Sequence, residues 1–404
     1  MQGLKRFLLE DKNTHLEHLE DEIINNGTQG AKTSIEFLKS IKKMLQGGKG
    51  GSNVSVKWDG APAVFAGTNP ENGRFFVGTK SIFNATPKIN YTVSDISRNH
   101  GGALADKLAV ALKFLPSLGI KGVLQGDLLF TDDKKNAVVN GERSIVFTPN
   151  TITYAVPATS VDMYNRIRAA KIGIIFHTSY SGKTMKGLKA SFGASVGGLR
   201  QNKNVFFDDA RYKQAQDPGF SKGEEKRFDA IIRMAEGSAY KAGAFIDKIK
   251  KDQGPLSLGV QLKTFFNTYI RAGSKIGNAK ALANNFEVFF RDRLKKEIDG
   301  KKQEKTKEKY KEILEAGMKI LRPNRQGLYF AIATYITLQT AKSLLLSKLN
   351  QIQSIGSFMR TSTGYKATNP EGYVAINKGN AVKLVDRLVF SRANFNVAKD
   401  WVRG

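Results

Sequence analysis

The stretch NVSVKWDGAPAVF, residues 53–65, sets a lysine, a tryptophan, an aspartate and a glycine between two segments with strand-like alternation. In the first segment Val54 and Val56 fall on one side, Ser55 and Lys57 on the other. Two readings are open: a plain hairpin turn, or a reactive lysine at the mouth of a sheet. A free lysine titrates near 10.4, so only roughly one in a thousand is neutral at physiological pH. A nucleophilic Lys57 therefore needs cationic neighbours, a metal or desolvation to lower that value. Gly60 would let the backbone or a phosphate approach closely.

Outward from this stretch the chain reads as α+β. Residues 11–26 carry an amphipathic helical pattern with a Thr14/Glu17 capping box, and a second helix is expected at 31–46. In the first of these, His15 and His18 read as part of a solvated face beside acids. Short strands follow 53, with Asn72-Gly73 as a hairpin turn. A helix is expected at 103–115, then strands at 120–130, 143–148, 151–156 and 171–180. From 222 to about 353 helical patterns dominate, and strand character returns as a hairpin at 371–390. A five-residue loop in that hairpin, 377–381, would pair Ala375 with Lys383 and put Glu371 on the Lys383 face, whereas a four-residue loop would separate them and count against a shared site. The expected units are an N-terminal helical segment (1–50), a sheet-rich core in two parts (51–195 and 354–404), and a basic helical insertion (196–353).

Composition narrows the chemistry. Cysteine is absent, which excludes disulfides, cysteine-ligated zinc and cysteine nucleophiles. Four histidines argue against a histidine-rich metal site. The longest apolar run, LYFAIATYITL at 328–338, is about half of what a bilayer-spanning helix needs. No secretory signal is expected from the first residues. With 64 basic and 36 acidic residues the net charge is +28, so a polyanion is the expected partner, nucleic acid first.

Lys57-Trp58-Asp59-Gly60 resembles the KxDG signature of covalent nucleotidyltransferases, the ATP-dependent DNA and RNA ligases and related capping enzymes. Later segments resemble that family's remaining motifs, in order. GTKSIF (78–83) would place Lys80 on the nucleotide, and VLQGDLLF (123–130) would put Asp127 in the acidic position. GIIFHTSY (173–180) would supply Phe176 to stack on the base. PEGYVAINKG (370–379) resembles EGxVxxK, with Glu371 as the metal-organising acid, and AVKLVDR (381–387) would put Lys383 on the α-phosphate. Each segment also has a plain alternative: Phe176 as core packing, Asp127 as the flank of a core strand, Glu371 as a turn residue, Lys80 and Lys383 as surface lysines.

The resemblance implies a nucleotidyltransferase domain of the ATP-grasp-like ligase adenylation type: antiparallel sheets with helices, interrupted by the helical insertion. It implies ATP and Mg²⁺, a lysyl-AMP formed on Lys57, and transfer of AMP to a nucleic-acid 5′-phosphate. Lys57, Asp59, Glu371 and Lys383 would carry the chemistry. Trp58, Gly60, Lys80, Asp127, Phe176, Lys378 and Arg387 would bind the nucleotide, and Glu371 and Asp127 would hold the metal. The departures are the long helical block, Val385 where the family has a second lysine, for which Arg387 or Lys378 would compensate, and no expected room after the last motif for the OB-fold domain many ligases append, which leaves open ligation against nucleotidyl transfer alone. ATP against GTP or NAD⁺, DNA against RNA, and protein modification, RNA capping or non-catalytic nucleic-acid binding stay open. Leu8-Leu9-Glu10 resembles the end of the leader peptides cut from head-packaged proteins of T-even-type tailed phages, and the N-terminal region resembles phage proteins of unassigned function. The expected location is the host cytoplasm during infection or, with a cleavable leader at 1–10, the phage head.

Overall fold

The structure is a computed structural model describing residues 16–47, 53–211, 219–250, 254–350, 356–361, 364–367, 371–377 and 380–388. The leader-like segment, His15 and the Thr14 cap lie outside the described residues. The fold is α+β, built from three sheets and a layer of long helices.

The small sheet joins the beginning and end of the described chain. Its order is β1 (Asn53–Lys57), β13 (Gly372–Asn377), β14 (Asn380–Val385), all antiparallel. A six-stranded sheet runs β10 (Val205–Asp209), β8 (Ile172–Ser181), β4 (Val123–Phe130), β2 (Ala63–Thr68), β3 (Phe75–Gly78), with β9 (Lys189–Phe192) beside β8. A third sheet runs β12 (Gly364–Ala367), β11 (Gly356–Thr361), β7 (Thr153–Pro157), β6 (Glu142–Phe147), β5 (Lys135–Val139). Two details correct the sequence reading. Strand β10 lies inside the span assigned to the insertion and pairs parallel with β8, so the central sheet is mixed and the helical block starts after β10. Strands β11 and β12 were not expected; the ladder to β7 supplies their pairing, which local sequence does not reveal.

The helices are α1 (Glu22–Leu45), α2 (Val93–Asn99), α3 (Gly102–Phe114), α4 (Val161–Ala169), α5 (Lys222–Ile249), α6 (Leu258–Arg271), α7 (Ala279–Asp299), α8 (Glu304–Leu321) and α9 (Arg325–Leu349). The inward face of the small sheet, Val54, Tyr373, Ala375, Val382 and Leu384, packs on α1, α5 and α9 in one core. The helical block is therefore the floor of the small sheet. Helix α3 covers one face of the central sheet. The other face packs on the third sheet through Leu129, Phe130, Ile175 and Phe206.

The two expected N-terminal helices are one element with a break at Gly27, whose φ is +60°. The chain restarts its helix at Thr28, where the orphan amide and hydroxyl donate to Asp247 at 2.9 and 2.7 Å. Asp247, on α5, thus caps α1 from a neighbouring helix. Partial burial pushes its carboxyl up, but bonds from Lys250 and Thr28 outweigh that and hold it at about 2. A buried ionic cluster ties the N-terminal segment to α9. Lys342 donates to both Glu20 oxygens at 2.7 Å, and Arg387 and the Tyr335 hydroxyl reach Asp21 at 3.2 and 3.1 Å.

The cap yields a prediction. Asp247→Asn lowers unfolding free energy by about 1 kcal/mol in denaturant titration at neutral pH, as for a lost N-cap. Because the folded carboxyl titrates below its unfolded value, the wild-type advantage is present above the unfolded carboxylate pKa and fades as pH falls towards 2. An advantage independent of pH in that range contradicts the assignment.

Candidate active site

Lys57 is the last residue of β1 and pairs with Gly372 of β13. Ser55, Val374 and Lys383 sit side by side across the same three strands, so Lys57 and Lys383 share the face of the sheet opposite the helical floor. The β13–β14 turn differs from expectation. In place of the five-residue loop, Asn377 pairs with Asn380 and Val374 with Lys383. In strict alternation that register would turn Glu371 away from Lys383. Glu371 escapes because it lies one residue outside the ladder, beyond Gly372. Gly372 has no space for a side chain, since a Cβ would lie 2.4 Å from the Leu384 carbonyl oxygen. Glu371 thus reaches Lys57, and its carboxylate accepts a short hydrogen bond from the ammonium.

Asp127 reaches the same place from the central sheet. Gly60 packs directly over it: a Cβ on Gly60 would fall 2.5 Å from the Asp127 Cβ. Gly60 is needed for the approach of the Lys57 loop to β4. Burial pushes the Lys57 ammonium down, but Glu371, Asp127 and Asp59 outweigh burial and hold it above the ordinary lysine range. A nucleophile needs the opposite shift, so the three carboxyls favour the charged resting form. Burial dominates at Glu371 and pushes its carboxyl up despite Lys57. Lys383 is lowered, by burial first and then by Lys57. Its ammonium has no carboxylate partner among the described residues.

Several expected roles change. Asp59 is buried, and its carboxylate accepts from Asn150 Nδ2, the Thr151 hydroxyl and the Thr151 and Ile152 amides, all at 2.6–2.7 Å. Three of those donors crowd Oδ2 and one reaches Oδ1, so the carboxylate is engaged in pinning the loop to the third sheet. Phe176, expected to stack on the base, is fully buried in the core under α3. It shares strand parity with Ile172 and Ile174, and that side of β8 faces the core.

The neighbouring residue takes the outward place. A β-bulge lets Gly126 pair with Phe176 and Gln125 with Thr178, leaving His177 as the extra residue. His177 Nε2 lies 3.7 Å from Asp127. Its signal was its position as the polar residue in GIIFHTSY. Arg387 is buried and donates to Asp21, Tyr335 and Asn267, so it is committed to the ionic cluster and does not replace the missing second lysine. Trp58 packs on Tyr154 with ring centroids 5.0 Å apart. Lys80 stands exposed after β3 and makes no ion pair with the Lys57 cluster. Lys378 lies outside the described residues.

His18, expected on a solvated helix face, instead forms a parallel bridge beside Lys383, whose amide donates to the Glu17 carbonyl at 2.9 Å. Its Nδ1 is buried without a hydrogen-bond partner, and burial, then Arg387, Lys342, Lys383 and Lys57, hold the imidazole well below its usual range.

Glu371 and Asp127 are the carboxylates still available to a cation. Among the described residues no group of three His, Cys, Asp or Glu side chains is arranged to hold a metal alone. Two carboxylates completed by substrate phosphates and water suit Mg²⁺. Two cavities among the described residues lie elsewhere, about 350 Å³ beside Lys121 and Tyr180 and about 370 Å³ between α7 and α9. No helix among the described residues is long and apolar enough to cross a membrane.

The electrostatic reading is open to a direct check. In Glu371→Gln, burial acts on Lys57 with its nearest carboxylate gone, so the Lys57 titration moves to lower pH. NMR of ¹³C-methylated lysine, assigned with Lys57→Arg, reads this, and an unmoved titration contradicts the pairing.

No curated protein and no solved structure matches the chain. A family model, a family of unknown function (DUF6267), matches residues 13–399. That span includes β1, the helical block and the β13–β14 hairpin, so the whole site lies within it. The chain belongs to the DUF6267 family.

Proposed function

We propose that this protein is an ATP-dependent nucleotidyltransferase that forms a lysyl-AMP on Lys57 and passes AMP to a nucleic-acid 5′-phosphate. The observation that carries the reading is the convergence of Lys57, Glu371, Asp127 and Lys383 from distant parts of the chain. A lone KxDG pattern would not require that meeting.

In the proposed reaction Glu371 is the base. It takes a proton from the Lys57 ammonium, and the freed nitrogen pair attacks the α-phosphorus of ATP. The N–P bond forms as the bond from the α-phosphorus to the α,β-bridging oxygen breaks, and pyrophosphate leaves with that electron pair. Lys383, whose ammonium has no carboxylate partner among the described residues, stabilises the charge on the α-phosphoryl oxygens. In the second half an oxygen of the acceptor phosphate attacks the same phosphorus, the N–P bond breaks, and the proton returns from Glu371 to Lys57. Asp59 and Gly60 hold the loop that aims Lys57. Asp127, with phosphate oxygens and water, would hold Mg²⁺, whose chemistry is neutralisation of the departing pyrophosphate, while Glu371 keeps the proton. His177 replaces Phe176 as the side chain placed near the nucleotide.

One observation favours a second reading. The closed Lys57–Glu371 pair, with Lys57 held in its charged form, also suits a nucleic-acid-binding protein that keeps the site without turnover.

Incubation with α-³²P-labelled ATP and Mg²⁺, followed by denaturing electrophoresis, separates the two. The proposal expects covalent label on wild type and none on Lys57→Ala. Glu371→Gln slows labelling by roughly 10²- to 10⁴-fold and Lys383→Ala by about 10²- to 10³-fold. Phe176→Ala destabilises the fold by about 3–5 kcal/mol, as for a core aromatic. Wild type that takes no label across ATP, GTP and NAD⁺ overturns the proposal.

A further inference from the structure

Helix α5 pairs its acids and leaves several of its cations unpaired. Its acids are engaged by neighbouring elements. Glu224 pairs with Lys348 at 2.8 Å, Glu225 and Asp229 with Lys42 at 2.9 Å, and Glu236 with Lys39 at 2.6 Å. Asp247 is held by Lys250 and Thr28. The buried residues Phe228, Ile232, Ala235, Ala239, Ala242 and Ile246 form the opposite stripe. The charged side chains of α5 left without an ion pair are cationic: Lys222, Lys226, Arg227, Arg233, Lys241 and Lys248 are exposed and make no ion pair among the described residues, Lys241 lying over the Phe330 ring.

At 100° per residue, Lys222, Lys226, Arg233, Tyr240 and Lys248 fall within an arc of about 80°. From Lys222 to Lys248 the row extends about 39 Å at 1.5 Å per residue. Tyr240 stands in this row with 89% of its surface exposed. Helix α8 is denser in lysine, but part of its charge cancels internally: Lys307 pairs with Glu304 at 2.6 Å and Lys311 with Glu308 at 3.2 Å.

We infer that the outer face of α5 is a docking surface for single-stranded nucleic acid, with Lys222, Lys226, Arg233 and Lys248 on phosphates and Tyr240 stacked on a base. The inference takes its partner class from the function proposed above, but it does not depend on Lys57 chemistry. Unpaired cations along one helix face match a linear polyanion. A solvent-exposed ring among them favours a single strand, because bases in a duplex are already stacked.

Fluorescence anisotropy of the full chain with a labelled mixed-sequence 20-mer, as single strand and as duplex over a salt series, tests this. Single-strand binding is expected to weaken with salt. Lys226→Glu/Arg233→Glu should lower affinity at least tenfold and flatten the log–log salt slope by roughly 0.7 for each phosphate no longer neutralised. Tyr240→Ala should weaken single-strand binding by roughly five- to hundredfold and leave duplex binding almost unchanged. Binding is read in the absence of nucleotide, so failure here is separable from failure of ATP labelling. The inference is overturned by undetectable single-strand binding. An equal loss from Lys305→Glu/Lys309→Glu on α8, or single-strand binding indifferent to Tyr240→Ala, also overturns it.

Discussion

The ion pair between Lys57 and Glu371 spans 314 residues of sequence and joins the first of the described strands to the hairpin β13–β14. Everything at the site depends on that closure. It requires β1 to lie beside β13, Gly372 to end the ladder one residue short of Glu371, and Gly60 to let the loop settle on Asp127. Breaking one partner of a part-buried pair leaves an uncompensated charge, whereas the intact pair contributes little net stability after desolvation. Its consequence is therefore specificity of arrangement: a lysine and an acid kept within proton-transfer reach of each other.

The same logic runs through the helical block. As an insertion it would be an appendage that grips a substrate. In the structure it supplies the apolar floor under the small sheet, and α1 is packed into the same layer. The buried Glu20–Lys342 and Asp21–Arg387 contacts bind the segment before α1 to α9 and to the residues just after β14. This explains why Arg387 is unavailable to a nucleotide and why His18 comes to rest beside Lys383. As a result acids of α5 are paired with lysines of α1 and α9, and unpaired cations are left on its outer face.

Much of this was legible in the sequence because local periodicity carried it. The alternation around Lys57, helix α3 and the β13–β14 hairpin follow from residue patterns a few positions long. What escaped was set by long-range pairing. The register of the last hairpin turned on a small difference in loop length that its sequence does not dictate. Phe176 and His177 were exchanged because a motif resemblance names a position, whereas burial follows strand parity and a bulge. Asp59 looked catalytic because it is an acid beside the lysine, and only the fold shows that residues 150–152 occupy its carboxylate. Strands β10, β11 and β12 are short and gain stability from their partners, so their own sequences are weak signals.

The meeting of Lys57 with Glu371 is the claim on which the rest stands, and zero-length carbodiimide cross-linking with peptide mass spectrometry tests it most directly. The account predicts an amide between Lys57 and Glu371 that is suppressed when ATP and Mg²⁺ are present. Cross-links from Lys57 only to carboxylates outside this cluster, unaffected by nucleotide, would contradict it.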